Sequence, residues 1–484
     1  MTDGFTVGAV IANAARGAPH ATAAVIDGRP RSFTDLDQAG TNAAEALLRE
    51  GGAPGRVALV LAETSFELLA AFVGCARAGI VFAPLNPALD DRTITAVAHN
   101  IGADLCLVDE THRDRAELVD APKVSVAVHP TGEAEPALPE VSGQDGHVAF
   151  FTSGSTGLPK AALLSHQTSV LRSHPGSQLE PRGAALCPYP LFHMGGWTIA
   201  MQQWHARAPV VFVGDTDPLT LTAALHQHEI ERFNAIPALW SRLADHHGDH
   251  ADTAFPALRF ADTGTSPTSA ALLSTITAMA PRASVRVFYC STEAGNVASL
   301  HGDDLMTRPG SCGRPGPLTE LRIDDHELLV RGPLLFDGYL GDAEASQAAM
   351  QNGWYRTGDL ARVDEDGFLT ITGRAGTVIR TGGEAVTPDV VEAALRTHPS
   401  IDEVAVFGVA DERWGELVWA AVVAPPSLSL DDIRTHVAAD GPHPLARHQH
   451  PRRLLWVDTI PRTVATGQID RHQLRRWALE RSEP

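Results

Sequence analysis

A chain of 484 residues, 44% hydrophobic and 20% charged, can bury several cores, and its length suggests roughly three domains or lobes. The formal net charge of −20 excludes a basic field that would hold a nucleic-acid backbone or an anionic membrane, so an anionic substrate must be met by local groups. Cys75, Cys106, Cys187, Cys290 and Cys312 form neither a CxxC pair nor a regular framework, the start MTDGFTVGAVIANAARG lacks a signal-peptide pattern, and no membrane-length apolar run occurs. We therefore expect a cytoplasmic protein, monomer or homodimer, that handles a small molecule and engages no nucleic acid and no membrane.

In chain order, residues 32–50 read as a helix and 56–62 (RVALVLA) as a buried strand of near-continuous apolar residues. Thr64 and Glu67 have capping-box spacing ahead of a helix whose Phe66, Leu69, Phe72 and Val73 recur at helical intervals. Further strands are expected near 80–83 and 104–108, and strands alternating with helices predict parallel βαβ units of an α/β fold. This first lobe reads as scaffold. A Pro/Glu/Gly-rich connector covers 132–146.

Residues 148–166, VAFFTSGSTGLPKAALLSH, then place an apolar strand at 148–151, six small or hydroxyl residues at 152–157, Pro159 and Lys160, and a segment able to become helix. Glycines accept φ > 0 and small side chains leave backbone N–H groups open, so this loop can converge on an anion. It is not a Walker A loop, which needs Gly before the Lys and Ser or Thr after it; here Pro159 and Ala161 hold those places. Lys123 is the only other lysine in the chain, so the ammonium at Lys160 stands out against a background of arginine. Farther on, His246, His247, Asp249 and His250 lack a helical i, i+4 pair backed by a third ligand and read as a solvated polar loop, as do His443, His448 and His450.

TSGSTGLPK resembles the phosphate-loop signature of the adenylate-forming superfamily, which includes acyl-CoA synthetases, peptide-synthetase adenylation domains and luciferases. Further matches run to the end of the chain. The resemblance implies a large, multi-lobed N-terminal AMP-binding domain over 1–373, a hinge at 374–376, and a small mobile α+β domain over 377–484. It implies ATP and Mg²⁺ as cofactors, with CoA as acceptor in the ligase reading.

Carried over by motif, Thr152, Ser153, Gly154, Ser155, Thr156, Gly157 and Lys160 would hold the β- and γ-phosphates. In CPYPLFHMGGW (187–197), His193 takes the place that lines the acyl pocket and gates the path between carboxylate and thiol, with Met194 and Trp197 shaping the pocket. FADTGTSP (260–267) matches the strand and glycine turn that touch adenine and substrate, which assigns Gly264 and Thr265 to the nucleotide and Thr263 with Gly264 to the acid. In VRVFYCSTEAG (285–295) a strand at 285–288 would deliver Tyr289, Thr292 and Glu293 to one loop. An aromatic face suits adenine, a hydroxyl the α-phosphate, and a carboxylate Mg²⁺, which prefers oxygen ligands. Phe288 and Cys290 flank the nucleotide here and Asn296 the acid. The family pattern is YGxTE, so Cys290 replaces a glycine. Asp359 in WYRTGDL (354–360) would accept from both ribose hydroxyls, Arg374 would contact ribose and phosphate, and Gly382, Gly383 and Glu384 would line the CoA tunnel. Thr387 and Pro388 make a helix start.

Two departures matter. Gly376 and Thr377 stand where relatives carry a Lys or Asp hinge residue, commonly followed by another Asp. In RTVATGQIDR (462–471), Gln468 occupies the position of the lysine that touches carboxylate and bridging oxygens as pyrophosphate leaves. Losing one preorganised charge contact costs on the order of 3 kcal/mol, about a hundredfold in rate. Three readings compete: adenylation of a small, aromatic carboxylic acid with transfer to CoA; activation of nitrite as an adenylate to diazotise an arylamine; or a nucleotide-binding pseudoenzyme.

Overall fold

The computed structural model describes residues 5–127, 137–152, 158–174, 182–248, 254–438, 440–441, 443–462 and 469–481. The chain forms two compact units rather than three: Met1–Leu321 with Val330–Tyr355 and Gly367–Leu369, and Arg322–Leu329 with Arg356–Asp366 and Thr370–Pro484.

Among the described residues, two sheets have all their strands in the first unit. One runs Gly338–Tyr339, Lys160–Ser165, Gly146–Thr152, Val81–Pro84, Val57–Leu61, Leu105–Val108, Lys123–Ser125 among the described residues. It is parallel from Gly146–Thr152 through Lys123–Ser125 and antiparallel at the other edge. Its interior strand VALVL, Val57–Leu61, is buried along its whole length, as a strand covered on both faces must be. The second sheet runs Arg314–Pro315, Gly295–His301, Ser284–Ser291, Phe260–Gly264, Arg232–Asn234, Ala185–Cys187, Val210–Phe212, Thr22–Ile26, Arg29–Ser32. Its middle is parallel and its margins antiparallel.

The expected helix at 32–50 spans Phe33–Arg49, started by a reciprocal Ser32–Asp35 capping box. The next helix, Phe66–Ala78, is capped by Ser65, which accepts from the Leu68 N–H. The Thr64–Glu67 spacing is therefore one residue out of step, because Ser65 is the residue with extended backbone.

A larger correction concerns the segment after Lys160. It is not helix but the strand Lys160–Ser165, paired antiparallel with Gly146–Thr152 from Thr152↔Lys160 to Gly146↔Ser165. Pairing buries Ala161, Ala162 and Leu164, and the helix begins only at His166, where the Ser165 hydroxyl caps the Thr168 N–H.

In the second unit a sheet orders Glu384–Val386, Ile379–Thr381, Gly415–Val423, Glu403–Asp411, with Arg453–Trp456 parallel to Gly415–Val423. Both faces are covered. Val404 and Val406 enter a core with Val391, Leu395 and Ile433. Ala405, Phe407 and Val409 enter another with Leu455, Leu474 and Ala478. Strand alternation thus turns one apolar run into two cores. The helix Pro388–Leu395 starts at Thr387 as expected, and its buried Glu392 accepts from the Val406 N–H and from Arg396 and Arg471.

Candidate functional site

The segment expected to hold phosphate lies between two paired strands. Its ends, Thr152 and Lys160, face each other in register; Ser153, Gly154, Ser155, Thr156 and Gly157 lie outside the described residues. The Lys160 ammonium sits 5.2 Å from the centre of the Tyr339 ring. Tyr339 reaches this place because Gly338–Tyr339 pairs with Ala162 and Leu163 of the same hairpin. Its hydroxyl donates to Glu293 Oε1 at 3.0 Å, and Tyr355 hydrogen-bonds to it from behind. Burial, then the Glu293 charge, pushes the Tyr339 hydroxyl well above its ordinary range, so it stays protonated.

Glu293 is buried to 9% exposure, at the turn between Ser284–Ser291 and Gly295–His301. The strand is longer than the expected 285–288: Tyr289 and Cys290 belong to it, and a register shift falls between them. The thiol in the glycine position is therefore accommodated by a bulge in an antiparallel pair. Thr292 and Glu293 occupy the turn. Arg172 holds that turn, donating at 2.8 Å to the carbonyls of Thr292, Glu293 and Leu334. Burial lowers its pKa to about 10, which leaves it charged. Gly295 has φ +68, and a Cβ there would lie 2.9 Å from Arg172 Nε, so a side chain is excluded twice over.

His193 caps the helix Met194–His205, its Nδ1 accepting from the Gly195 N–H at 3.1 Å. That bond makes Nδ1 the acceptor nitrogen, and burial lowers the pKa, so the ring is neutral. It stacks on Tyr189 at 5.9 Å, whose hydroxyl donates to Asn234 Oδ1 at 2.7 Å. Met194 Sδ accepts from Arg172 at 3.5 Å, linking this helix to the Glu293 turn through one guanidinium.

Trp197, expected to shape the pocket, is packed among core aromatics. It is 2% exposed, stacks on Phe72 at 3.9 Å, meets Phe82 edge-on at 5.5 Å, and donates from Nε1 to the Leu191 carbonyl at 2.6 Å. Four positions past the cap, it points into the core between helices. Thr263, expected to border the acid, lies on the core-facing side of its strand. It pairs with Val287 and shares with Ala261 the sheet face that packs into the core, fully buried. The opposite face carries Asp262, bonded twice to Arg286 at 2.7 Å.

Gly264 pairs with Phe288, and a Cβ there would collide with the Phe288 carbonyl. Thr265 follows, exposed at φ +66. Cys290 is half-buried with its thiol pKa raised by burial, and Asn296, exposed, pairs opposite it.

In the second unit the buried Asp359 accepts from Arg374 Nε at 2.6 Å, and the Asp359 N–H donates to Thr357 Oγ1 at 3.0 Å. Gly382 and Gly383 form the turn between Ile379–Thr381 and Glu384–Val386, Glu384 being exposed; the Gly382 N–H donates to the Trp414 carbonyl at 2.8 Å. Residues 375–377 form a 3₁₀ turn. Gln468 lies outside the described residues, but the chain beyond it is anchored: Asp470 caps the helix Arg471–Glu480, and Arg471 pairs with buried Glu392.

Sequence reasoning missed Arg172, Tyr339 and Tyr355. Rarity was the available signal: the chain has four tyrosines, and Tyr189, Tyr339 and Tyr355 all stand in these contacts.

Residues 11–340 match the model of the family described as AMP-binding enzyme, and 390–466 match its C-terminal domain. Among curated proteins, a 3-[(3aS,4S,7aS)-7a-methyl-1,5-dioxo-octahydro-1H-inden-4-yl]propanoyl:CoA ligase of Mycobacterium tuberculosis is 31% identical over 98% of this chain and 99% of its own length. Indoleacetate–CoA ligase of Aromatoleum aromaticum is 31% identical, with 96% of each chain covered. Among solved structures, o-succinylbenzoate CoA synthetase from Bacillus subtilis, in complex with its acyl-adenylate, superposes with a TM-score of 0.86 at 23% identity, covering 96% of this chain and 97% of its own. No helix among the described residues is long and apolar enough to cross a membrane.

Proposed function

The chain belongs to the AMP-binding enzyme family, and from that premise we propose that it adenylates a carboxylic acid with ATP, releasing pyrophosphate, and passes the acyl group to coenzyme A. The observation that carries this reading is the pairing of Glu293 with Tyr339 beside Lys160 at the end of the hairpin. A buried carboxylate whose partner is a phenol rather than a cation leaves carboxylate oxygen for a hard divalent ion, so Glu293 fits Mg²⁺. When bound, that ion supplies charge neutralisation for the triphosphate.

Attack of the acid's oxyanion on the α-phosphorus needs positioning and charge compensation more than covalent help. Lys160 and the small residues after Thr152 take the β- and γ-phosphates, and the Thr292 hydroxyl takes the α-phosphate. Tyr289 faces adenine, with Gly264, Thr265, Phe288 and Cys290 around it. Asp359 and Arg374 take the ribose. His193 and Met194 border the acid, and the Tyr189–His193 stack suits a flat or alicyclic ring better than a long alkyl chain. Gly382, Gly383 and Glu384 receive coenzyme A, with 374–376 as the hinge of the domain 377–484.

The relatives named above are acid–CoA ligases, which favours an acid over nitrite and over a silent nucleotide binder. The test is AMP release from ATP and Mg²⁺ across aryl and alicyclic acids, with nitrite plus an aminoaryl acid as comparison. AMP with a carboxylic acid, rising with coenzyme A, is expected. AMP only with nitrite overturns the proposal. Gln468→Lys is expected to raise the adenylation rate of the acid; an unchanged or lower single-turnover rate shows that this chain does not use the position in the usual way.

A further inference from the structure

We propose that Tyr339 is the positioning residue for Glu293: its hydroxyl aims the carboxylate while its ring face parks the Lys160 ammonium, which keeps two opposite charges from neutralising each other before the triphosphate arrives. The role rests on the reading of Glu293 as the magnesium carboxylate.

The side chain is fixed on every side. Its strand pairs with the hairpin that carries Lys160, its backbone N–H donates to Ser346 Oγ at 2.8 Å, and Phe336 packs edge-on against its ring at 4.8 Å. An ionised carboxylate only accepts, so between Tyr339 and Glu293 the phenol must donate. Its oxygen stays able to accept, and its donor is Tyr355, which is 5% exposed and packed on Phe336 at 5.4 Å. The donors therefore point one way, Tyr355 to Tyr339 and Tyr339 to Glu293, and each bond polarises the next.

Lys160 completes the device. Among the described residues it makes no ion pair, although it sits over the ring whose hydroxyl holds Glu293. A cation on an aromatic face is held weakly, enough to place it and little enough to release it to a phosphate. A Lys160–Glu293 ion pair would occupy the carboxylate instead.

Three variants separate the two jobs. Tyr339→Phe keeps the ring and removes the hydroxyl, Tyr355→Phe removes the outer donor, and Tyr339→Leu removes both hydroxyl and ring. The readout is Mn²⁺ binding by electron paramagnetic resonance in the presence of a non-hydrolysable ATP analogue, beside the Mg²⁺ concentration that half-saturates AMP formation. Tyr339→Phe is expected to weaken Mn²⁺ binding and raise that Mg²⁺ concentration by about tenfold, the size of a lost hydrogen bond to a charged acceptor. Tyr355→Phe should give about threefold, and Tyr339→Leu a larger loss than Tyr339→Phe with a raised KM for ATP. Wild-type Mn²⁺ affinity in Tyr339→Phe overturns the proposal, whatever its melting temperature. Should that variant not fold, Tyr355→Phe decides, and an unchanged affinity there overturns it. Absence of nucleotide-dependent Mn²⁺ binding in the unsubstituted protein overturns the reading of Glu293 itself, a failure seen before any variant is made.

Discussion

Two aromatic residues with opposite fates show how a side chain's role is settled at the level of the residue. Trp197 stands in a motif that lines a pocket in relatives, yet it stacks on Phe72 inside the core. Replacing Trp197 by Ala should cost about 3–5 kcal/mol of stability, the usual range for a large buried aromatic, measured by urea unfolding. A pocket residue would instead change the acid preference and leave the urea midpoint in place. Thr263 obeys the same rule, since period-2 alternation commits it to the face of Ala261 and Val287. Tyr339 is the opposite case. Nothing in its short surroundings marks it, and its importance comes from a strand pairing with Ala162, far away in sequence.

At the level of the element, the hairpin Gly146–Thr152/Lys160–Ser165 and the turn at 292–294 share one dependence: each is held by groups from elsewhere in the chain. Arg172, on the helix His166–Ser173 directly after the hairpin, spans to the carbonyls of Thr292 and Glu293 and to Met194 Sδ. Gly295→Ala would force a Cβ against that guanidinium at a left-handed φ. We expect AMP formation to fall by more than about tenfold, because the turn shifts by a few tenths of an ångström where geometry is demanding. Ordinary turnover in Gly295→Ala would show that the Arg172 clamp is dispensable. Arg172→Lys should be almost as damaging, since an ammonium cannot reproduce a planar fork donating to three carbonyls.

For the whole molecule, the buried pair His147 and His166 sets an acid limit. Their rings lie 4.6 Å apart, both fully buried; His166 Nδ1 accepts from the Val7 N–H, and neither Nε2 has a partner among the described residues. Burial lowers both pKa values, that of His166 to about 4. In the unfolded chain a histidine has a pKa of about 6.5, so above that pH neither state takes a proton and stability is unaffected. As pH falls through about 6.5 the unfolded chain binds protons that the folded chain refuses, and stability is lost, by about 2 kcal/mol for His166 at pH 5. Urea midpoints at pH 7.5 and pH 5 should show this fall, with a shallower slope in His166→Gln. An identical pH slope in that variant would rule the pair out as its source.

Much of this protein was legible along the chain. A near-continuous apolar run marked 56–62 as a buried strand, and a strand near 104–108 and helices at 32–50 and from Thr387 were expected where the structure has them. The carboxylate at Glu293 and the rare lysine at Lys160 were both visible by type and spacing. These are local signals, and propensity, periodicity and capping act over a few residues. The route of the chain after Lys160 could not be read that way, because ALLSH suits helix or strand alike and only pairing with Gly146–Thr152 decides it. Which way Trp197 and Thr263 point, that Arg172 fastens three distant carbonyls, and that Tyr339 stands between Lys160 and Glu293 were decided by tertiary structure alone. Packing and hydrogen-bond satisfaction depend on which residues the fold brings together, and partners far apart along the chain leave no mark on each other's local sequence.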